Sequence, residues 1–241
     1  MMDDLKAQFA GWLGSIGISL SDEQWDRFEE YYRLLVDWNE RMNLTAIVDR
    51  EQVYVKHFFD SATLAVCVPP DSVTTLADIG TGAGFPGVPL KILFPHLRLT
   101  LIDSLQKRIV FLRHLVDRLA LSGVDCFHGR AEELARKSEF RDRFDLVTAR
   151  AVARLNVLNE LCLPFVRQGG TFAAMKGANA EAELAEADRS FRELHASLIR
   201  VHRFQLPREA GERGIILIKK QSRTPSRYPR KPGEAARNPI V

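Results

Sequence analysis

The chain has 241 residues, 46% hydrophobic and 27% charged, with a net charge of +3. That is enough to bury one large core, with or without an extension, and no apolar run approaches the roughly 20 residues that span a bilayer. Cys67, Cys126 and Cys162 stand far apart with no C-x-x-C pair, so neither a disulfide framework nor a metal site is expected. The start, MMDDLKAQFA, lacks the basic and apolar regions of a secretory signal, so a cytoplasmic protein is expected. No segment reads as an exposed apolar interface, and a monomer is expected.

Residues 1–70 read as helices. Ser21 and Gln24 form a capping-box pattern ahead of DEQWDRFEEYYRLLVDWNERMN, where Trp25, Phe28, Tyr32 and Leu35 keep helical spacing. A second helical pattern covers about Arg50 to Val66 and stops at CVPPDS. The pattern then changes to alternation. TTLADIG is a strand, 87–94 a helix, LRLTLIDS a strand, and 105–121 a helix. VDCFHG and FDLVTARAV are the third and fourth strands. A helix runs to about Phe165, GTFAAMKG is the fifth strand, and 180–195 is a charged helix. LIRVHRFQL and GIILIKK have no helix between them and read as an antiparallel pair at one edge. The fold expected is α/β: a Rossmann-like, seven-stranded, mostly parallel sheet with a C-terminal antiparallel hairpin, behind an N-terminal helical extension. The expected divisions are 1–70 for the extension, 71–221 for the core and 222–241 for a basic, Pro-rich tail.

Charge is unevenly placed. Residues 1–70 carry twelve Asp/Glu against six Lys/Arg, whereas 219–237 carry seven Lys/Arg against Glu234 alone. Such asymmetry points to a polyanion partner met by the C-terminal end, with a merely solvated tail as the plain alternative.

ADIGTGAGFPG, 77–87, follows the first strand and opens the next helix, the geometry of a nucleotide pocket at the C-terminal end of a parallel sheet. Two registers compete. Gly82, Gly84 and Gly87 fit the dinucleotide pattern G-x-G-x-x-G. Gly80, Gly82 and Gly84, preceded by Asp78, fit G-x-G-x-G of S-adenosylmethionine-dependent methyltransferases. The second is favoured, because Phe85 stands where a dinucleotide loop needs its third glycine and Pro86 lacks an N–H where a pyrophosphate needs donors. A turn with no ligand remains the third reading.

Asp103 ends the second strand, where a carboxylate can accept from both ribose hydroxyls. GRAEEL puts Ala131 and Glu132 beside an adenine ring, although Glu132 also suits a helix start through the dipole. Arg150 and Lys176 end adjacent strands over the cleft and are the candidate catalytic or substrate-positioning residues; a structural ion pair is the alternative for Arg150. His57 and Asp60 suit either an acid/base pair or an ordinary i, i+3 contact. Cys162 reads as a buried apolar residue.

NERMNLTAI (39–47), VKHFFDS (55–61), ADIGTGAGFPG, LIDSLQKRIVFL, GRAEEL, VTARAVARL, AAMKG and the tail TPSRYPRKPGEAARNP stand in one order along the chain. Together they resemble the RsmG (GidB) family of small-subunit ribosomal RNA methyltransferases. The resemblance implies methyl transfer from S-adenosylmethionine, leaving S-adenosylhomocysteine, to N7 of one guanine in 16S rRNA, with ribosomal RNA or the 30S subunit as partner. By motif match it carries the cofactor positions onto Gly80, Phe85, Ala131, Glu132 and Arg150. Ser226 departs from the family pattern, which often has a second basic residue there.

The chemistry agrees with this resemblance. Guanine N7 carries a free lone pair, so alignment matters more than a general base. The chain has neither the Asn/Asp-Pro-Pro-aromatic motif that orients an exocyclic amine nor a Pro-Cys nucleophile. Lys219, Lys220, Arg223, Arg227, Arg230, Lys231 and Arg237 are expected to meet RNA phosphates along an extended tail, where Tyr228 either stacks on a base or packs on the domain. Another RNA or protein methyltransferase, an NAD-dependent oxidoreductase and a non-catalytic assembly factor are the competing functions.

Overall fold

A computed structural model describes residues 4–150, 153–178 and 180–241, with the side chain at 181 set aside. The acidic start at 1–3 and residues 151–152 of the VTARAVARL motif lie outside the described residues. Helix α1 spans Asp4–Ser15 and α2 spans Asp22–Met42. The capping box at the start of α2 is present: Ser21 Oγ accepts from Gln24 N at 3.1 Å, and Ser21 N donates to Gln24 Oε1 at 3.0 Å. The Gln24 amide also donates to Ile92 O and Leu93 O, the open carbonyl end of the helix after the glycine loop.

The next helix differs from its expected form. α3 (Arg50–Val53), capped by Asp49, runs through a π-helical turn (Tyr54–Phe59) into Asp60–Ala62. π turns commonly mark functional positions, and here the turn brings Lys56 O, His57 and Asp60 within reach of one arginine.

Seven strands form one sheet: β1 (Thr75–Ile79), β2 (Arg98–Asp103), β3 (Val124–His128), β4 (Phe144–Arg150), β5 (Val166–Lys176), β6 (Ala196–Gln205) and β7 (Glu212–Lys220). The order is β3-β2-β1-β4-β5-β7-β6. The first five strands are parallel; β7 pairs antiparallel with both β5 and β6. The order reverses beside β1, so β1 and β4 open a crevice at their C-terminal ends. The connecting helices are α4 (Gly87–Leu93), α5 (Gln106–Arg118), α6 (Ala131–Leu134) and α7 (Leu155–Cys162). The charged helix predicted over 180–195 is broken into α8 (Ala180–Ala185) and α9 (Asp188–Glu193).

Two cores flank the sheet. Neighbours Leu76 and Ala77 on β1 fall in opposite ones, as the two-residue period requires. One core joins the helical extension to the sheet, with Phe9, Phe28, Tyr31 and Phe58 packed with Val88 and Leu112. The other includes Cys162, buried as expected, and Tyr228 and Ile240 of the tail.

That last packing revises the expectation of an extended arm. Lys220 is fully buried, and its ammonium donates to Leu163 O at 2.6 Å, Thr224 Oγ1 at 2.5 Å and Asp142 Oδ1 at 3.1 Å. Burial lowers its pKa to about 8. Arg230 donates from Nε and an Nη to the carboxylate of Glu160, which is 1% exposed at its side chain. A buried carboxylate demands such a partner. Lys220 and Arg230 therefore hold the tail down. Tyr228 packs on the domain, and its hydroxyl donates to Glu193. The tail ends in a helical turn, α10 (Glu234–Arg237).

Candidate functional site

The glycine loop is held closed by its own hydrogen bonds. Gly80 N and Thr81 N donate to Ile102 O, Gly84 N and Phe85 N to Thr81 O, and Val88 N to Gly84 O. Gly82 N donates to Asp103 Oδ2 at 2.9 Å, and Gly87 N to Asp78 Oδ2 at 2.9 Å. Pro86 has no N–H. These donors all have acceptors within the protein, so the loop offers no row of amides to cradle a pyrophosphate.

The glycines differ in what they do. Gly82 has φ +62 and open space where a Cβ would stand, so backbone conformation requires it. Gly84 has φ +102, and a Cβ there would lie 2.7 Å from Tyr31 Oη. Tyr31 Oη donates to Ala83 O at 2.6 Å, so α2 is fastened directly to the loop.

Asp78 lies fully buried behind the loop. Its Oδ2 accepts from Thr81 Oγ1 and Gly87 N, its Oδ1 has no partner, and burial pushes its pKa up to about 6. It braces the turn from behind. Asp103 accepts from Gly82 N, Leu105 N and Arg108. A carboxylate has about four lone-pair sites, so one remains for a ligand hydroxyl.

A cavity of about 220 Å³ opens in front of the loop, walled by Gly80, Asp103, Ala131, Glu132, Ala153 and Val157, with Gly233, Ala235 and Ala236 of the tail. The wall sets two carboxylates, Asp103 and Glu132, against one cation, Arg130, a balance that opposes a phosphate and suits a nucleoside without one. Ala153 also borders a larger cavity of about 590 Å³, beside the ends of β4 and β5. Lys56, Arg150, Arg154, Lys176 and Arg213 line it, against Asp60 and Glu183.

Arg150 organises this second cavity. Its guanidinium donates to Asp60 Oδ2 at 3.0 Å, to Lys56 O at 3.2 Å and to His57 Nδ1 at 3.2 Å, and lies 4.9 Å over the Phe85 ring. Phe85 is sandwiched between Tyr31 at 5.3 Å and His57 at 4.5 Å. The Arg213 Nε stands 3.4 Å from Asp60 Oδ1. Burial, then the Arg150 charge, lowers the His57 pKa to about 3, so the ring is neutral. Lys176 donates to Ala153 O and pairs with Glu183 at 2.7 Å.

Comparison with known proteins now bears on this geometry. A family model described as rRNA small subunit methyltransferase G matches residues 24–211. A Brevibacillus brevis protein named ribosomal RNA small subunit methyltransferase G is 52% identical over 236 residues, covering 98% of this chain and 99% of that protein. One of the same name from Halalkalibacterium halodurans is 54% identical, covering 93% of this chain and 94% of the relative. The chain belongs to the rRNA small subunit methyltransferase G family.

Solved structures agree on the fold of this methyltransferase G family member. TrmN from Thermus thermophilus superposes with a TM-score of 0.52 at 17% identity, over 69% of this chain and 53% of that one. YcgJ from Bacillus subtilis gives 0.50 at 14% identity, over 69% of this chain and all of the other. Within the family fold, Gly80, Asp103, Ala131 and Glu132 are brought to one cavity, and Arg150 and Lys176 to the adjoining one. Asp78, Gly82, Gly84 and Phe85, also expected at the cofactor, border neither; Asp78 braces the turn by hydrogen bonds, and Phe85 packs under Arg150. His57 and Asp60 are bridged by Arg150 rather than paired with each other. Sequence reading missed Tyr31, Thr45 and Arg213 at this site. The 39–47 signature was a local signal for Thr45 alone; Tyr31 and Arg213 meet the site from other elements.

Proposed function

We propose that this chain transfers the methyl group of S-adenosylmethionine to N7 of one guanine in 16S ribosomal RNA. The observation that carries the cofactor reading is the loop whose amides at 80–82, 84, 85 and 87 are already occupied, facing a cavity whose wall carries two carboxylates against one cation, Arg130. It fits a phosphate-free, positively charged nucleoside and not a dinucleotide. Gly80, Asp103, Ala131 and Glu132 would hold the adenosine portion. Family membership supports the reaction class and the small-subunit RNA substrate.

When bound, S-adenosylmethionine supplies an electrophilic methyl group on a positive sulfur. Guanine N7 attacks with its own lone pair, so this chain need not remove a proton. The residues agree. His57 is neutral, with Nδ1 set against Arg150 and Lys56 O and Nε2 against Thr45 Oγ1 at 2.9 Å, so both ring nitrogens are already engaged. Arg150, Lys176 and Arg213 are cations suited to a guanine O6 or a flanking phosphate, which makes them positioning groups. Among the tail cations, Arg223, Arg227, Lys231 and Arg237 are exposed and Lys219 half-buried, and these extend the basic surface toward RNA.

The test is tritiated S-adenosylmethionine with small ribosomal subunits from cells lacking the gene, followed by mapping of the label. Label at N7 of a single guanine is expected. No label from a chain that binds S-adenosylmethionine would move the substrate elsewhere. Binding of NADH in its place would overturn the cofactor reading.

A further inference from the structure

The tail does more than carry charge. Gly233, Ala235 and Ala236 stand in the wall of the smaller cavity, which they share with Gly80 and Asp103. The strap is tied on both sides of that wall. Gly233 N donates to Glu132 Oε1 at 2.8 Å, and Arg230 is locked to buried Glu160 through both its backbone N–H, at 2.7 Å, and its guanidinium. Small residues face the cavity. Gly233 has φ +78, a conformation that delivers its N–H to Glu132 and that other residues rarely adopt. The exposed cations Lys231 and Arg237 flank this segment. A flexible, solvated arm requires none of these ties, and a ligand wall requires each.

We propose that residues 230–237 are a structural part of the cofactor site: a strap that closes the nucleoside end of the cavity, so that S-adenosylmethionine binding and strap docking stabilise each other. The inference rests on the cofactor reading above. Ligand and strap share Glu132 and the cavity wall, so a ligand that needs the docked strap must favour docking by the same free energy. Ala236 is the informative position. It borders the cavity and is exposed, so a larger side chain there narrows the cavity without entering the core.

The experiment titrates S-adenosylhomocysteine into the full-length chain and into Ala236→Trp and Ala236→Ser, with melting temperatures measured for each. Amide exchange over 233–238 is followed in the wild type with and without the ligand. Expected are at least tenfold weaker binding by A236W at an unchanged melting temperature, near-normal binding by A236S, and slowed exchange of 233–238 in the complex. Wild-type affinity in A236W, with exchange of 233–238 indifferent to ligand, overturns the strap while leaving the cofactor reading in place. A wild-type chain that binds neither S-adenosylhomocysteine nor S-adenosylmethionine overturns the cofactor reading and this inference with it.

Discussion

Thr45 Oγ1 stands 2.9 Å from His57 Nε2, and that contact ties the segment after the second helix to the imidazole beside Arg150. His57 Nδ1 stands 3.2 Å from an Arg150 Nη, which can only donate, and 3.1 Å from Lys56 O, which can only accept. The same Thr45 oxygen accepts from Ile47 N at 3.1 Å, and Thr45 N donates to Asn39 Oδ1 at 2.8 Å. The NERMNLTAI segment thus reaches Arg150 through one imidazole. Thr45→Val leaves Ile47 N and the His57 ring without the hydroxyl, and is expected to cost about 1–2 kcal/mol in urea unfolding. Thr45→Ser should behave as wild type. Equal stability of the Val and Ser variants refutes this account.

Arg150 bridges a carbonyl, a carboxylate and an imidazole while covering an aromatic ring. A lysine ammonium cannot reproduce that fork. Arg150→Lys is therefore expected to be nearly as damaging as Arg150→Ala, with kcat/KM for methyl transfer down about 100-fold or more through misplaced groups. Both should lose stability, up to about 3–5 kcal/mol, because Asp60 is left buried beside Arg213 alone. Unchanged transfer and unchanged cofactor affinity in Arg150→Ala would remove its assigned role.

Asp78 gives a pH signature of definite sign. Its folded pKa is raised to about 6 from 3.8, chiefly by burial. Between these values the native state binds the extra proton, so this group's contribution to stability falls as pH rises from about 4 to 6. Asp78→Asn cannot titrate. The stability of wild type relative to Asp78→Asn should drop by about 2–3 kcal/mol across that window, read as paired urea midpoints at pH 4 and pH 7. A difference that is flat or rises with pH contradicts the burial argument.

Gly84 and Tyr31 should behave as a coupled pair. A Cβ on Gly84 would meet Tyr31 Oη at 2.7 Å and Val88 Cγ2 at 2.9 Å, at a φ of +102. Gly84→Ala is expected to cost about 2–3 kcal/mol from backbone and overpacking strain. Adding Tyr31→Phe removes the nearest clashing atom and should recover part of that loss. Strict additivity in the double-mutant cycle would show that the close approach is not what selects glycine here.

The tail cations divide by burial. Arg223→Gln with Lys231→Gln should weaken RNA binding and reduce the salt slope by about one per lysine or arginine that contacts phosphate, while the melting temperature stays put. Lys220→Met should do the reverse. It strips Asp142 and Thr224 of their buried partner and lowers stability. Filter binding across a salt series, beside thermal melts, separates the two classes.

Much of this was legible because it depends on local period and punctuation. Alternating strands and helices predict the parallel sheet, and the short polar segment joining LIRVHRFQL to GIILIKK, too short for a crossover helix, predicts the β6–β7 hairpin, whose loop holds only a 3-10 turn at Pro207–Glu209. The glycine run predicts the loop, since φ near +62 at Gly82 is a demand on one residue. The illegible part is long-range pairing. Arg230 reads as a solvated cation until Glu160 is found 70 residues away, and Lys220 until Asp142 is. A π turn at Tyr54–Phe59 has no sequence period of its own, so the meeting of Lys56, His57 and Asp60 around Arg150 could not be placed.

The position of β7 has a consequence for synthesis. It is the last strand to be made, yet it lies between β5 and β6 and pairs with both. A message cut short before residue 212 would yield a polypeptide whose β5, with Phe172, Ala174 and Met175, keeps an unpaired edge. Such edges recruit other strands. Premature termination should therefore give aggregates or substrates for proteolysis rather than a partly working protein, and the sheet can close on a ribosome only after Lys220 has emerged.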